Sequence, residues 1–458
     1  MTTLLIRNAE VVATVDADGT EVAGGSILVR DGAIEWIGSS ADEPDGAASA
    51  DEVVDASGCV AVPGFVNTHH HLYQVLTRVR VQDGGLFRWL VELYPTWAGL
   101  DAEWTRAAAA VGLSELALSG CTTSTDHHYV FPAGAGDLLA AEIESAREVG
   151  LRFQPCRGSM DLGQSDGGLP PDSVIQDRDA ILSETEDAVA RFHDPSPSSL
   201  LRIAVAPCSP FSVTTELMKE SAALARRLGL RLHTHIAEAL DEDDFCLEKF
   251  GVRPIQLLED MEFLGPDVWL AHGVHLSDQD IERLADTGTG IAHCPSSNLR
   301  LASGIARVRD LLDAGAPVGL GVDGSASNDS NDILAEVRQA MLVARAGMEP
   351  GALSAREALR IATMGGARCL GRDEEIGSLE PGKRADVALF DVTGLAYAGA
   401  TDFVAALAFC APRRVRDLFV EGRRVVADSR LTGVDEERVA ADGHRVARRI
   451  AESQGAGT

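Results

Sequence analysis

Between residues 60 and 322 the chain repeats one local pattern, a short apolar run followed by a longer stretch of helical periodicity. The candidate strands fall at 60–66, 122–126, 152–156, 202–206, 231–236, 268–271, 290–293 and 318–322. Helix-like spacing is clearest between them at 216–228 and 280–286. Strands alternating with helices imply a parallel sheet, because a parallel neighbour can only be reached by a crossover. Eight such units at this length are expected to close into a (β/α)₈ barrel of the TIM type. An open doubly wound sheet is the alternative, but no G-x-G-x-x-G follows the first run.

The two ends of the chain read differently. Residues 4–15 and 26–37 alternate like half-buried antiparallel strands, with turns at 17–19 and 31–32. The style returns at 385–390 and 415–426, where Glu421-Gly422 suits a hairpin turn. The ends are therefore expected to build one small β-sandwich around a continuous middle. The expected division is 1–58 for the N-terminal part of the sandwich, 59–372 for the catalytic barrel, and 373–458 for the rest of the sandwich and a C-terminal helix. A Gly/Pro-rich loop at 163–171 follows the third run and reads as a lid or as a solvated insertion.

The formal net charge of −30 argues against nucleic acid or anionic membranes as partners. No apolar run approaches the roughly 20 residues of a membrane span. The N-terminal residues lack a basic region and an apolar core, so they read as a strand and not a signal peptide. The 8 cysteines are scattered without a C-x-x-C pair, as expected of reduced thiols in a cytoplasmic enzyme. A homo-oligomer is expected.

Chemistry-bearing residues gather where the apolar runs end. The first runs into Asn67-Thr68-His69-His70-His71. In extended chain, residues two apart share a face, so His69 and His71 can point inward together while His70 points away. The fifth run carries His233, His235 and, just beyond, Glu238; the sixth ends in His272; the eighth ends in Asp323. Barrel enzymes place their reactive groups at the C-terminal ends of the strands. A single such histidine is readily a satisfied core residue. Four strand ends each delivering a metal-ligand type of residue point to a metal site.

The ordered set N-T-H-x-H, H-x-A-E, A-H-G and V-D-G-S-A-S-N-D resembles the amidohydrolase superfamily. It is most similar to the branch holding cytosine, guanine and S-adenosylhomocysteine deaminases and the triazine hydrolases. The run Pro381-Gly382-Lys383-Arg384-Ala385-Asp386-Val387 fits the return of the chain into the sandwich. Within the branch, the segments 68–74, 157–160, 167–171 and 293–298 look most like the members that deaminate 8-oxoguanine. The resemblance implies that His69, His71, His235 and Asp323 bind one divalent metal, Zn²⁺ or alternatively Fe²⁺. It also implies that His272 and Glu238 face water and substrate. His233 matches no motif position and is expected to be a core or supporting histidine. Two-metal relatives use a carboxylated lysine on the fourth strand. Lys219, Lys249 and Lys383 all lie away from strand ends, so a single-metal site is expected.

The implied reaction is hydrolytic deamination of a 2-amino-4-oxo heterocycle, 8-oxoguanine giving uric acid and ammonia, with isocytosine as a smaller substrate. Asp323 accepts the first proton from water, Glu238 protonates the ring nitrogen, and His272 orients the water or steadies developing charge. Gln74 is expected to hydrogen-bond the ring, since an amide both donates and accepts. Guanine deaminases of the branch carry a fourth-strand Arg that is missing from 206–209. Arg157 is the candidate substitute, or else a pin for the 163–171 loop. Tyr73, Trp89 and Trp97 are possible stacking partners or simple packing. Two competing readings are a triazine-type amidohydrolase with an alkylamine leaving group and, more distantly, a non-catalytic barrel scaffold.

Overall fold

The computed structural model describes residues 2–410 and 414–455. Eight parallel strands close in sequence order into a barrel. They are Phe65–Asn67, Cys121–His128, Arg152–Ser159, Ala204–Pro207, Leu232–Ile236, Val268–His272, Gly290–His293 and Val318–Leu320. Leu320 pairs with Asn67 to complete the ring. Every residue in these strands is buried. Both faces are covered, which is why strands such as Ala204–Pro207 and Val268–His272 read as nearly continuous apolar runs and not as alternation.

The run at 60–66 is not one strand. Cys59–Pro63 pairs with Val387–Asp391 outside the barrel, and only Phe65–Asn67 enters it. The break is Gly64, where a Cβ would lie 2.1 Å from the Thr122 side chain. The chain passes between the two sheets at a point where only glycine fits.

The helix ends follow their local chemistry. Thr214 caps Thr215–Leu228 by accepting from the Leu217 amide, and Gly229 ends it at φ 68°. Ser277 and Asp280 form a capping box on Asp278–Thr287, with Gly288 ending it at φ 68°. A left-handed residue here stops the helix and turns the chain into the next strand. Two helices between the first and second strands, Leu86–Trp97 and Ala102–Leu118, were not singled out by the sequence pattern. The first buries Leu86, Trp89, Leu90, Leu93, Tyr94 and Trp97 along one face.

The chain ends meet in one continuous nine-stranded mixed sheet. The 26–37 run is a hairpin, Glu21–Arg30 and Ala33–Ser39, turning at Asp31 and Gly32. A bridge between Ala33 and Arg384 folds the sheet back on itself. Inside lies a separate core that includes Ile6, Val12, Ile27, Val29, Val387, Leu389 and Phe419. Arg152, at the start of the third barrel strand, ties the two bodies together. It is fully buried, donates to both Asp386 oxygens at 3.1 and 3.2 Å, and reaches Glu421 at 2.8 Å. Among the described residues, no helix is long and apolar enough to cross a membrane.

Candidate active site

Three strand ends leave regular geometry where the reactive residues begin. Ala237, His272 and Asp323 take φ values of 51°, 74° and 62°. Such left-handed backbone in residues other than glycine costs on the order of 1–3 kcal/mol each and collects at functional sites. It turns His272 and Asp323 toward the barrel axis, where His69, His71 and His235 already point.

Hydrogen bonds fix which nitrogen of each imidazole is free. His71 Nδ1 donates to the His127 carbonyl at 2.8 Å, and His235 Nδ1 donates to the Cys208 carbonyl at 2.7 Å. His233 Nδ1 donates to the Trp269 carbonyl at 2.7 Å, so its Nε2 is an acceptor. His69 Nδ1 therefore donates to His233 Nε2 at 2.9 Å. All three Nε2 atoms are left with bare lone pairs. Burial pushes the pKa of His69, His71 and His235 down, which keeps these rings neutral.

The three lone pairs converge with a carboxylate. His71 Nε2 lies 3.0 Å from His235 Nε2, and Asp323 Oδ1 lies 3.3 and 3.4 Å from His69 and His71 Nε2. His69 Nε2 is buried without a hydrogen-bond partner among the described residues. Bare acceptors at such distances repel one another unless a cation lies among them. Ligands bound to zinc at about 2.0–2.1 Å in tetrahedral array stand about 3.4 Å apart. The donor set and its spacing fit a divalent ion.

A cleft opens beside this cluster. Its metal-side lining is His71, His235, Glu238, His272 and Asp323, and its far wall is Leu86, Trp89, Leu90, Tyr94, Phe211 and Leu301. Glu238 Oε2 sits 3.4 Å from His272 Nε2. Burial pushes the Glu238 carboxyl up to about 7, against the pull of His272. His272 Nδ1 donates to Asn298 Oδ1 at 3.0 Å, which turns Nε2 toward Glu238. Ser327 donates to Asp323 Oδ2 at 3.1 Å.

The structure thus brings together His69, His71, His235, Asp323, Glu238, His272 and Gln74. Gln74 lines the cleft with its Oε1 buried and unpartnered. Arg157 is elsewhere. Its guanidinium packs 3.9 Å above the Phe131 ring and bonds Glu184 and Gln176 at 2.6 and 2.8 Å, in a separate cavity. A carboxylate partner and an aromatic face satisfy it there, so it anchors the segment after the 163–171 loop and does not reach the cleft. That loop does not line the cleft either. It backs the wall through the Leu169 amide, which donates to the Phe211 carbonyl at 2.9 Å. Trp89 lines the cleft, whereas Tyr73 and Trp97 pack behind it.

Sequence reasoning missed Tyr94, Tyr129, Cys208, Phe211, Leu301 and Ser327 as lining residues. Two of these carried a signal. Ser327 lies within the V-D-G-S-A-S-N-D run, and Tyr129 directly follows the second strand.

Inward-facing imidazoles and a carboxylate at the strand ends of a closed parallel barrel, with a protonatable acid beside them, define a barrel hydrolase. The chain belongs to the amidohydrolase family, whose model matches residues 60–425. It is 47% identical to 8-oxoguanine deaminase from Pseudomonas aeruginosa, over 94% of this chain and 95% of that protein. It is 37% identical to hydroxydechloroatrazine ethylaminohydrolase from a Pseudomonas species, over 98% of this chain and 96% of that one. Among solved structures, the zinc complex of atrazine chlorohydrolase from Arthrobacter aurescens superposes with a TM-score of 0.92. The two share 34% identity, over 97% of this chain and 100% of that one.

Proposed function

We propose that this chain is a metal-dependent hydrolytic deaminase of a 2-amino-4-oxo heterocycle. It takes 8-oxoguanine and water to uric acid and ammonia, and it also accepts isocytosine. The observation that carries the reading is the placement of a protonatable Glu238 beside a cluster of bare imidazoles and Asp323 in one cleft. The similarity to 8-oxoguanine deaminase supports the choice of ring.

His69, His71, His235 and Asp323 are the residues that hold the metal, one divalent ion per chain and zinc in the first instance. When bound, such an ion supplies Lewis acidity and lowers the pKa of a water toward about 7. The protein's own groups move the protons. Asp323, steadied by Ser327, accepts the first proton from the attacking water. Glu238 in its acid form donates to the ring nitrogen beside the carbon bearing the amine, so that this carbon becomes tetrahedral. The amine then leaves as ammonia with the proton Asp323 took, and the carbonyl forms as the hydroxyl proton returns to Glu238, restoring its acid form. His272, held by Asn298, keeps Glu238 and the water in line. The unpartnered Gln74 Oε1 supplies an acceptor for a ring N–H or amine, and the apolar far wall keeps bulk water out.

The test is ammonia release from 8-oxoguanine by metal-analysed protein before and after chelation. Activity is expected to vanish with the metal and to return with about one equivalent of zinc per chain. Two tightly held ions per site, or undiminished activity after complete removal, contradicts the reading.

A further inference from the structure

Glu238 has little to hold it. Its one side-chain partner among the described residues is His272, at 3.4 Å. Its position is set by its backbone, and that backbone is strained, since Ala237 stands at φ 51°. Ala237 is pinned on two sides. Its carbonyl accepts from the Val274 and His275 amides, each at 2.9 Å, just beyond His272. Its amide, and that of Glu238, donate to the two oxygens of one carboxylate, Glu242, at 2.9 and 3.0 Å. Glu242 is fully buried in the first turn of the helix Leu240–Phe250.

We propose that Glu242 is the positioning residue for the proton carrier, fixing the aim of Glu238 by clamping the Ala237 and Glu238 amides. The inference rests on the reading of Glu238 as that carrier. An ordinary capping residue would bond the N-cap amide, which here is Ala239. Glu242 reaches past it to the two residues before. Both of its oxygens are used, so the peptide between Ala237 and Glu238 cannot rotate without breaking a buried hydrogen bond. The same peptide links the strand end that carries His235 to the side chain that moves the proton. Glu242 itself does not line the cleft.

The test compares Glu242→Gln, Glu238→Gln and the double variant, each loaded with zinc and corrected for metal content. Glu242→Gln keeps the shape but presents an N–H group where one backbone amide needs an acceptor. Wild-type metal content, KM within about twofold and a kcat lower by about 10²-fold are expected, the scale of a misplaced catalytic group. The double variant is expected to be no slower than Glu238→Gln, because the clamp acts through the side chain already removed. An unchanged kcat in Glu242→Gln overturns the inference. So does a double variant whose loss is the product of the two single losses, or a loss that tracks metal content alone. Should Glu242→Gln fail to fold, Glu242→Asp, which keeps the carboxyl but draws it back by one methylene, is judged by the same criteria. An impaired Glu238→Gln beside an unimpaired Glu242→Gln overturns only this inference, whereas a fully active Glu238→Gln removes the proton-carrier reading itself.

Discussion

His69 donates its Nδ1 proton to His233 Nε2 across 2.9 Å, and His233 passes the constraint on by donating to the Trp269 carbonyl. A histidine with no motif position thereby decides which nitrogen of His69 faces the cluster. Outer partners of this kind orient a ligand ring and raise its basicity. Replacing His233 by Leu is expected to weaken metal affinity by about 10–100-fold, the usual cost of losing such a partner. Competition against a chelator measures it. Wild-type affinity in that variant would show that the ring orientation of His69 is set elsewhere.

Glu238 must be protonated to act as an acid, and burial places its pKa at about 7. The acid form is fully present well below that value and is lost as the pH rises through it. The rate constant kcat/KM is therefore expected to be level on the acid side of this group and to fall above about pH 7. Glu238→Gln is expected to keep its metal, lose that alkaline limb and run about 10²–10⁴-fold slower. A pH profile of both proteins decides the matter. The same limb in the variant would assign it to another group.

Gln74 offers a buried Oε1 with no hydrogen-bond partner among the described residues. A substrate N–H that fills this vacancy makes a hydrogen bond whose loss costs about 1–3 kcal/mol. Gln74→Ala is expected to lower kcat/KM for 8-oxoguanine and isocytosine by about 10–100-fold, with metal content unchanged. Equal activity of variant and wild type on both rings would remove Gln74 from recognition.

Arg152 joins the barrel floor to the end sheet through Asp386 and Glu421. Arg152→Met fills similar space but leaves the buried Asp386 without its cation. Breaking a buried pair in this way costs about 3–5 kcal/mol. A lower thermal midpoint is expected, with normal kcat in the protein that remains folded. An unchanged midpoint would mean that the sheet is held by its apolar core alone.

The barrel was legible because short strand-like segments alternate with helical ones, several of them, such as Ala204–Pro207 and Val268–His272, being mainly apolar because both faces are buried. The metal-type residues were legible because the barrel presents them at strand ends, with the alternation of His69 and His71 giving their shared face. What the sequence hid was set by contacts distant along the chain. Its position at a strand end suggests Arg157 as a cleft cation or as a pin for the 163–171 loop, but Glu184, 27 residues on, holds it in another cavity. The break at Gly64 depends on Thr122 across the sheet seam. The apolar wall built by Leu86, Leu90 and Tyr94 lies on a helix inserted between two barrel units, outside the repeating pattern. His233 could be placed near its neighbour His235, but only the folded barrel reveals that its partner is His69.

The central claim is tested most directly by a comparison of rings on one zinc-loaded preparation. Ammonia or amine release is measured as kcat/KM for 8-oxoguanine, isocytosine, guanine, cytosine and a hydroxyatrazine-type triazine. A site built to bond a polar edge discriminates strongly against rings that leave its groups unpaired. The account predicts that 8-oxoguanine and isocytosine are the good substrates, with uric acid formed from the former, and that guanine and cytosine are much poorer. Faster turnover of the hydroxytriazine than of 8-oxoguanine would contradict it.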